Sequence, residues 1–268
     1  MFFEILLFSL VCLCALVVFI CCFVVPSIAR REPEPWYLDY SRSFLPVLLL
    51  VFLIRGFIAE PFKIPSGSML PTLEIGDFIL VNKYKYGLRL PILHTKILDV
   101  SEPERGDIVV FRYPPEPSKN YVKRLIGLPG DTIMYRNQTL FVNGDPIQMA
   151  VMDDYIQERR SQSQFQFEQI LPVGDAGGKS VAHSVLFNKH LMNQNVNAGQ
   201  WTVPEGNYFM MGDNRDNSQD SRSSQFTFAP DENIVGEAFF VWLSFGTSTG
   251  GGLDTGRIGA DIQAREIE

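Results

Sequence analysis

The chain has 268 residues and a net charge of −7 at pH 7, an acidic balance that speaks against nucleic acid as its main partner. Apolar residues make up 46%, high for a soluble protein, and the long apolar runs are concentrated in the first 60 residues. All four cysteines (Cys12, Cys14, Cys21 and Cys22) lie in that region without a histidine or acid to complete a ligand set, so neither a metal site nor a disulfide framework is expected.

The first predicted element is the uncharged run from Ile5 to Ile28, long enough at 1.5 Å per residue to cross a hydrocarbon core of roughly 30 Å. A cleaved signal peptide would need a basic flank, and only Glu4 precedes the run. A second apolar run extends from Phe44 to Ala59 and contains Arg55. It reads as another span, with a buried helix of a soluble domain as the alternative. The intervening loop carries Arg30, Arg31 and Arg42, which the positive-inside rule places in the cytoplasm. Both the N-terminus and everything after about residue 60 are then extracytoplasmic. The predicted boundaries are 1–28 and 44–60 for the spans and 29–43 for the loop.

Beyond Pro61 the pattern changes to short β-branched or alternating runs: "FILVNKYKYG", "GDIVVFRY", "YVKRLIGL", "TIMYRNQTLFVNG" and "EAFFVWLSF". Asn143-Gly144, Asp145-Pro146 and Pro129-Gly130 read as turns. The expected fold is mainly β, an antiparallel barrel or sandwich with its core over 61–133 and 205–248. Residues 134–204 read as a β-rich insertion, because "QERRSQSQFQFEQ" and "NKHLMNQNVNAGQW" are polar and poor in chemistry. Residues 249–268 read as a Gly-rich tail that begins as a flexible linker.

Three segments could carry chemistry. "KIPSGSMLPTL" holds Ser66-Gly67-Ser68 between two prolines, a turn that can aim a hydroxyl and a backbone N–H at one point. The tripeptide alone fits an ordinary turn equally simply. No G-x-S-x-G occurs, no lysine has a serine three positions before it, and His94, His183 and His190 sit in polar or turn-like contexts. A lysine base remains. "YVKRLIGLPGD" places Lys123 and Arg124 on opposite faces of a strand, so that one can be buried while the other stays wet. Burial would lower the lysine pKa, whereas on an edge strand Lys123 would be a surface residue. The third segment, "GDNRDNSQDSR", suits a loop of Asx turns and ion pairs or a solvated charged loop. A calcium loop starting at Asp216 fails, because Ser221 stands where glycine is needed.

Taken in order, the two apolar runs with "IPSGSMLPTL", "GDFILVNK", "RGDIVVF", "YVKRLIGLPGD" and "GDNRDNSQDSR" resemble the bacterial type I signal peptidases, membrane-bound serine proteases with a Ser-Lys dyad. The resemblance covers the runs and most of 60–131 and 205–245, with 134–204 matching only as the variable, non-catalytic insertion. It implies that Ser68 is the nucleophile and Lys123 the general base. Ser66, with the Ser68 backbone N–H, would form the oxyanion hole, and Ser218 would hydrogen-bond and orient Lys123. Asp213 with Arg124 and Asp220 with Arg222 would be supporting ion pairs. Ile64, Pro65, Met69, Leu73 and Tyr121 would line the pocket for position −1, and Phe62, Ile79 and Val122 that for position −3, both selecting small side chains.

The resemblance further implies no cofactor and no metal, signal peptides of secretory preproteins as substrates, and the lipid bilayer and secretion translocon as neighbours. Location would be the bacterial cytoplasmic membrane, with the catalytic domain on the periplasmic side. Two local departures, "SSQFTFAP" after D-S-R and Glu237 before "AFF", touch no implied catalytic group. Other readings are a protease of the same dyad dedicated to one substrate, a non-cutting receptor for exported peptides, and a self-cleaving repressor. Retention of Ser68 and Lys123 argues against the receptor, and the two apolar runs argue against the repressor.

Overall fold

A computed structural model describes residues 2–30, 32–156, 163–173, 179–191, 197–246 and 251–267. Two apolar helices come first. Phe2–Phe19 runs into a π-helical turn at Ile20–Val24, and Trp36–Leu53 into another at Ile54–Ile58. The apolar spans are 22 residues (Phe3–Val24) and 23 residues (Trp36–Ile58), and little of either is covered by protein. Each exceeds the ~20 residues that a bilayer requires. The second helix begins at Trp36, well before the expected residue 44, because "WYLDYSRS" is helical despite its charges. The expected loop is shortened accordingly, and its Arg31 lies outside the described residues. Phe8 packs on Phe52, with ring centroids 5.7 Å apart. At the end nearest the sheets, Arg55 donates to Glu60 at 2.9 Å and covers the Phe3 ring, while Lys83 bridges Glu4 and Glu60 at 3.2 Å each.

After Ile58 the described residues form strands and short 3-10 turns, with every strand pair antiparallel. The fold is therefore mainly antiparallel β. A seven-stranded sheet has the order Ala59–Lys63, Asp77–Asn82, Ile234–Ser244, Ile108–Arg112, Asn120–Gly127, Asn207–Met211 and Ala229–Pro230. Alternation is plain in Asp77–Asn82, where Ile79 and Val81 point into a core shared with Ile64, Met69, Leu73 and Val110. A four-stranded sheet is made by Gln148–Ile156, Ser163–Val173, Lys179–Asn188 and Arg265–Ile267. Another contains Gly199–Thr202, Thr132–Arg136, Thr139–Val142 and Asp145–Pro146.

The Asn143-Gly144 turn has positive φ at both residues (54° and 94°), as a tight hairpin of matching twist requires. Asp145-Pro146, by contrast, is no turn. It pairs with Phe141–Val142 at a sheet edge, where the missing proline N–H costs no ladder bond. The two polar stretches of the insertion fall partly outside the described residues, at 157–162 and 192–196. Their described parts are largely strand, so low information content did not mean lack of structure.

The sequence leaves open whether the Gly-rich end is ordered. Residues 247–250 lie outside the description, but from Gly251 to Ile267 the chain is docked. The Arg257 guanidinium grips the fully buried Asp77 (Nη2 to Oδ2 2.6 Å, Nε to Oδ1 3.0 Å), and Gly259 N–H donates to Val241 O at 2.8 Å. Arg265–Ile267 then adds a strand beside Ser180–Ala182. A buried carboxylate needs a cation, and this segment supplies it.

Candidate active site

The first strand of the large sheet delivers the chain to the serine turn. Ile64 N–H donates to Asp77 O at 2.8 Å, Ser66 is extended, and Gly67–Met69 forms one 3-10 turn carrying Ser68. Gly67 has no positive φ; it is needed because a Cβ there would lie 2.9 Å from Leu70 Cδ1. The turn is held from outside by Asn214. Its backbone N–H donates to Ser68 O at 3.0 Å, and its Nδ2 donates to Gly67 O at 2.9 Å. Gly212 makes this approach possible, since a Cβ there would be 2.5 Å from Ser68 O and 2.2 Å from Ser218 Oγ.

Lys123 comes from Asn120–Gly127, a strand flanked by Ile108–Arg112 and Asn207–Met211. Its Nζ donates to Ser68 Oγ at 2.6 Å. The side chain is 3% exposed, and burial lowers its pKa to about 8, with the Asp220 and Asp213 carboxylates opposing and Arg222 assisting. The expectation that one of Lys123 and Arg124 stays wet is corrected: both are buried. Arg124 is satisfied inside: Asp213 accepts from Nε at 2.8 Å and Nη2 at 2.7 Å, and Gly106 O accepts from Nη1 at 2.7 Å. Thr72, not singled out in the sequence, donates to the same Asp213 at 2.6 Å.

Asp220 and Arg222 form a second buried bidentate pair, Nε to Oδ1 at 2.9 Å and Nη2 to Oδ2 at 2.8 Å. Burial pushes the Asp220 carboxyl up, but Arg222, the Gly212 N–H and Lys123 outweigh it and hold the pKa below the ordinary value. Ser218 does not make the expected bond: its Oγ is buried without a hydrogen-bond partner, and the Lys123 ammonium is directed to Ser68. The same hydroxyl is the atom that a side chain at position 212 would strike. His183, expected in a polar or turn-like setting, lies buried in the strand Lys179–Asn188 with Nε2 3.9 Å from Asp213. Burial, with Arg124 and Arg215 nearby, pushes it well below its usual pKa and keeps it neutral.

The insertion reaches this centre, which the sequence did not reveal. Gln164 Nε2 donates to Asn214 Oδ1 at 2.9 Å, and Arg215 donates to Gln169 Oε1. Leu186 exchanges backbone bonds with the loop, its N–H to Asp213 O at 2.9 Å and Arg215 N–H to its O at 3.0 Å. Asn214 and Arg215 lie in a motif that was read, though with other residues assigned; Gln164 and Gln169 lie in a polar run that gave no signal.

Ser66, Ser68 and Lys123 open onto a cavity of about 530 Å³. Phe62, Ile64, Pro65, Met69, Tyr121 and Val122 line it, as the resemblance implies. Leu73 and Ile79 do not. Both are fully buried in the core beneath, Ile79 from an inward position of the strand Asp77–Asn82 and Leu73 from the bend before it. Lys63, Gly67, Ile75, Asn120, Asn217 and Gln219 complete the lining unanticipated. Among the described residues, no three His, Cys, Asp or Glu side chains are grouped to hold a metal ion.

Residues 37–243 match the profile of the family described as signal peptidase, peptidase S26. The signal peptidase I of Pseudomonas aeruginosa is 46% identical over 231 residues, covering 82% of this chain and 78% of that one. That of Pseudomonas fluorescens is 44% identical over 228 residues (81% and 76%), and that of Haemophilus influenzae 34% over 256 residues (81% and 72%).

Proposed function

The chain belongs to the signal peptidase family, peptidase S26, and on that premise we propose that Ser68 and Lys123 are the catalytic pair with which it removes signal peptides. The observation that carries this reading is the 2.6 Å contact between Ser68 Oγ and a fully buried Lys123 Nζ. An ordinary lysine is almost never neutral at pH 7. With a pKa of about 8, roughly one in ten is, and that form can accept a proton.

In the neutral state the bond reverses and the Ser68 hydroxyl donates to Nζ. As the proton transfers, Oγ attacks the scissile carbonyl carbon. The Ser68 backbone N–H and the Ser66 hydroxyl, both at the cavity, stabilise the oxyanion; losing one such donor typically costs about 10²–10³ in rate. Lys123 then gives its proton to the departing amine. In the second half it takes a proton from water, which attacks the acyl ester and frees Ser68. The Arg124–Asp213 and Arg222–Asp220 pairs fix the charges around the lysine.

Apolar walls at Ile64, Pro65, Met69 and Tyr121 suit small side chains at position −1, and Phe62 with Val122 those at position −3. In this reading the two helices span the bacterial cytoplasmic membrane, and Arg30 and Arg31 between them, with Arg42 near the start of the second helix, keep that end in the cytoplasm. The sheets then face the periplasm, with 61–133 and 205–248 as the catalytic core carrying the insertion 134–204.

Two measurements test this. With the full chain in detergent and a preprotein as substrate, Ser68→Ala and Lys123→Ala are each expected to lose about 10³-fold or more in kcat; a variant that cuts as well as wild type sinks the assignment. The wild-type kcat/KM should rise with pH to a plateau with a midpoint near 8, because the base works deprotonated. A midpoint at the ordinary lysine value would exclude Lys123 as the base.

A further inference from the structure

The segment Leu88–Leu98 takes no part in the site above. It is a small hairpin of Leu88–Arg89 against Lys96–Leu98. Its tip, Pro91-Ile92-Leu93-His94, is closed by His94 N–H to Leu90 O at 2.8 Å and Leu90 N–H to Thr95 O at 2.9 Å, with positive φ at Ile92 and His94. The turn is thus held by its own hydrogen bonds. Yet its apolar side chains are uncovered: Leu93 is 72% exposed, Leu98 59% and Ile97 52%, and Val100, just beyond it, 56%. One exposed leucine is ordinary; four exposed apolar residues so close along the chain call for a partner.

The position of the hairpin identifies that partner. Pro91 rests on the second helix at Gly56, where a Cβ would lie 2.9 Å from Pro91 Cγ. Gly56 is inside the apolar span Trp36–Ile58, about 3 Å from its end at the helical rise per residue. Just before the hairpin, Lys83 N–H donates to Ile58 O at 3.0 Å and its ammonium contacts Glu4 and Glu60. This charged cluster suits the level at which the helices leave the apolar layer, and Pro91 packs on the helix within the last residues of its apolar span. Leu93, two residues further along the tip, is exposed beside that end of the span. Behind the tip, Arg89, Lys96 and Arg112 surround a cavity of about 470 Å³ together with Asp231 and Glu232. Arg89 is paired with Asp231 at 2.9 Å and Lys96 with Asp99 at 2.6 Å, so this face behind the tip is polar and charge-balanced.

We propose that the Leu88–Leu98 hairpin is a third membrane contact, its tip resting among the lipids beside the second helix. This rests on the reading that the two helices span a bilayer. Two helices alone leave the sheets able to tilt about the junction at Ile58–Ala59. A lipid-seated tip braces them, and with them the strand Ala59–Lys63 that leads directly into the Ser68 turn.

The test uses the full chain in discs of phosphatidylethanolamine and phosphatidylglycerol, with Cys12, Cys14, Cys21 and Cys22 replaced by alanine. Single nitroxide labels go on Leu93→Cys, Leu98→Cys, Leu13→Cys within the first helix, and Glu205→Cys on an exposed turn, each variant first checked for preprotein cleavage. Relaxation by oxygen, which collects in lipid, is compared with that by a water-soluble nickel chelate. The labels at 93 and 98 are expected to show an oxygen-to-nickel ratio at least about threefold above that at 205, on the side of the label at 13. If both tip labels match the label at 205 while the label at 13 lies in lipid, the proposal fails and the spanning helices stand. A water-exposed label at 13 would defeat the spanning reading itself, and the hairpin proposal with it.

Discussion

Two chemically unlike faces press on the loop Gly212–Arg222. The core side meets it with charge: Arg124 clasps Asp213 at 2.7 and 2.8 Å, and Lys123 lies within the field of Asp213, Asp220 and Arg222. The inserted sheet meets it with neutral groups: Gln164 on Asn214, Gln169 beneath Arg215, the Leu186 backbone, and an imidazole that burial keeps uncharged. The charged face determines which groups in the centre are ionised. The neutral face can set the position of Asn214, and through it Gly67 and Ser68, without altering the field that tunes the lysine. Geometry and protonation are thus controlled from opposite sides of one loop.

The largest expected break in this arrangement is Asp213→Ala. It leaves Arg124 buried with half its bonds, and the stability lost should be about 3–5 kcal/mol by urea unfolding in detergent. A change under about 1 kcal/mol would mean that the charged face does not hold the loop.

Lys123→Met should act in the opposite direction on stability while abolishing cleavage. The folded pKa of about 8 lies below the ordinary 10.5, so at pH 7 the fold carries a buried charge that the unfolded chain holds in water. Removing it should stabilise by about 3 kcal/mol. The unfolded chain binds more protons between about pH 8 and 10.5, so wild-type stability climbs through that window and the gain of the variant fades across it. Equal melting temperatures at pH 7 would argue against a buried lysine of lowered pKa.

A smaller effect separates the two faces. Gln164→Ala leaves Asn214 Oδ1 without its donor and should lower kcat about tenfold, with the pH midpoint unmoved. Asp220→Asn removes a charge that raises the lysine, so its midpoint should move down. If Gln164→Ala moves the midpoint as well, the division between the faces is wrong.

Much of the scaffold was legible because it rests on local pattern. The alternation in "FILVNK" gives the strand Asp77–Asn82, and Asn143-Gly144 gives its hairpin. The second helix was underestimated because Asp39 and Arg42 interrupt the apolar run, although charges on a helix surface do not break it. Leu73 and Ile79 were placed at the cavity by the resemblance alone, and a resemblance carries over an apolar position without saying whether its side chain meets a core or a pocket. Single long-range bonds leave no local trace: nothing near Arg257 announces Asp77, 180 residues away, and nothing near Gln164 announces Asn214, 50 residues away. The roles of Ser68 and Lys123 were suggested by the ordered set of motifs, since one serine turn and one strand lysine are ordinary taken singly.

The 2.6 Å contact between Ser68 and Lys123 joins residues 55 positions apart, and the bond that secures the serine turn reaches from Asn214 to Gly67, 147 positions apart. During synthesis the serine therefore emerges long before the groups that complete its surroundings. Contacts of such separation form late in folding, because the entropy of closing a long loop must be met first. A nascent chain interrupted before "GDNRDNSQDSR" would expose its hydroxyl with the turn unsecured and the carboxylates missing from around the lysine. The surroundings of Ser68 are thereby completed only when nearly all of the chain has been made and folded.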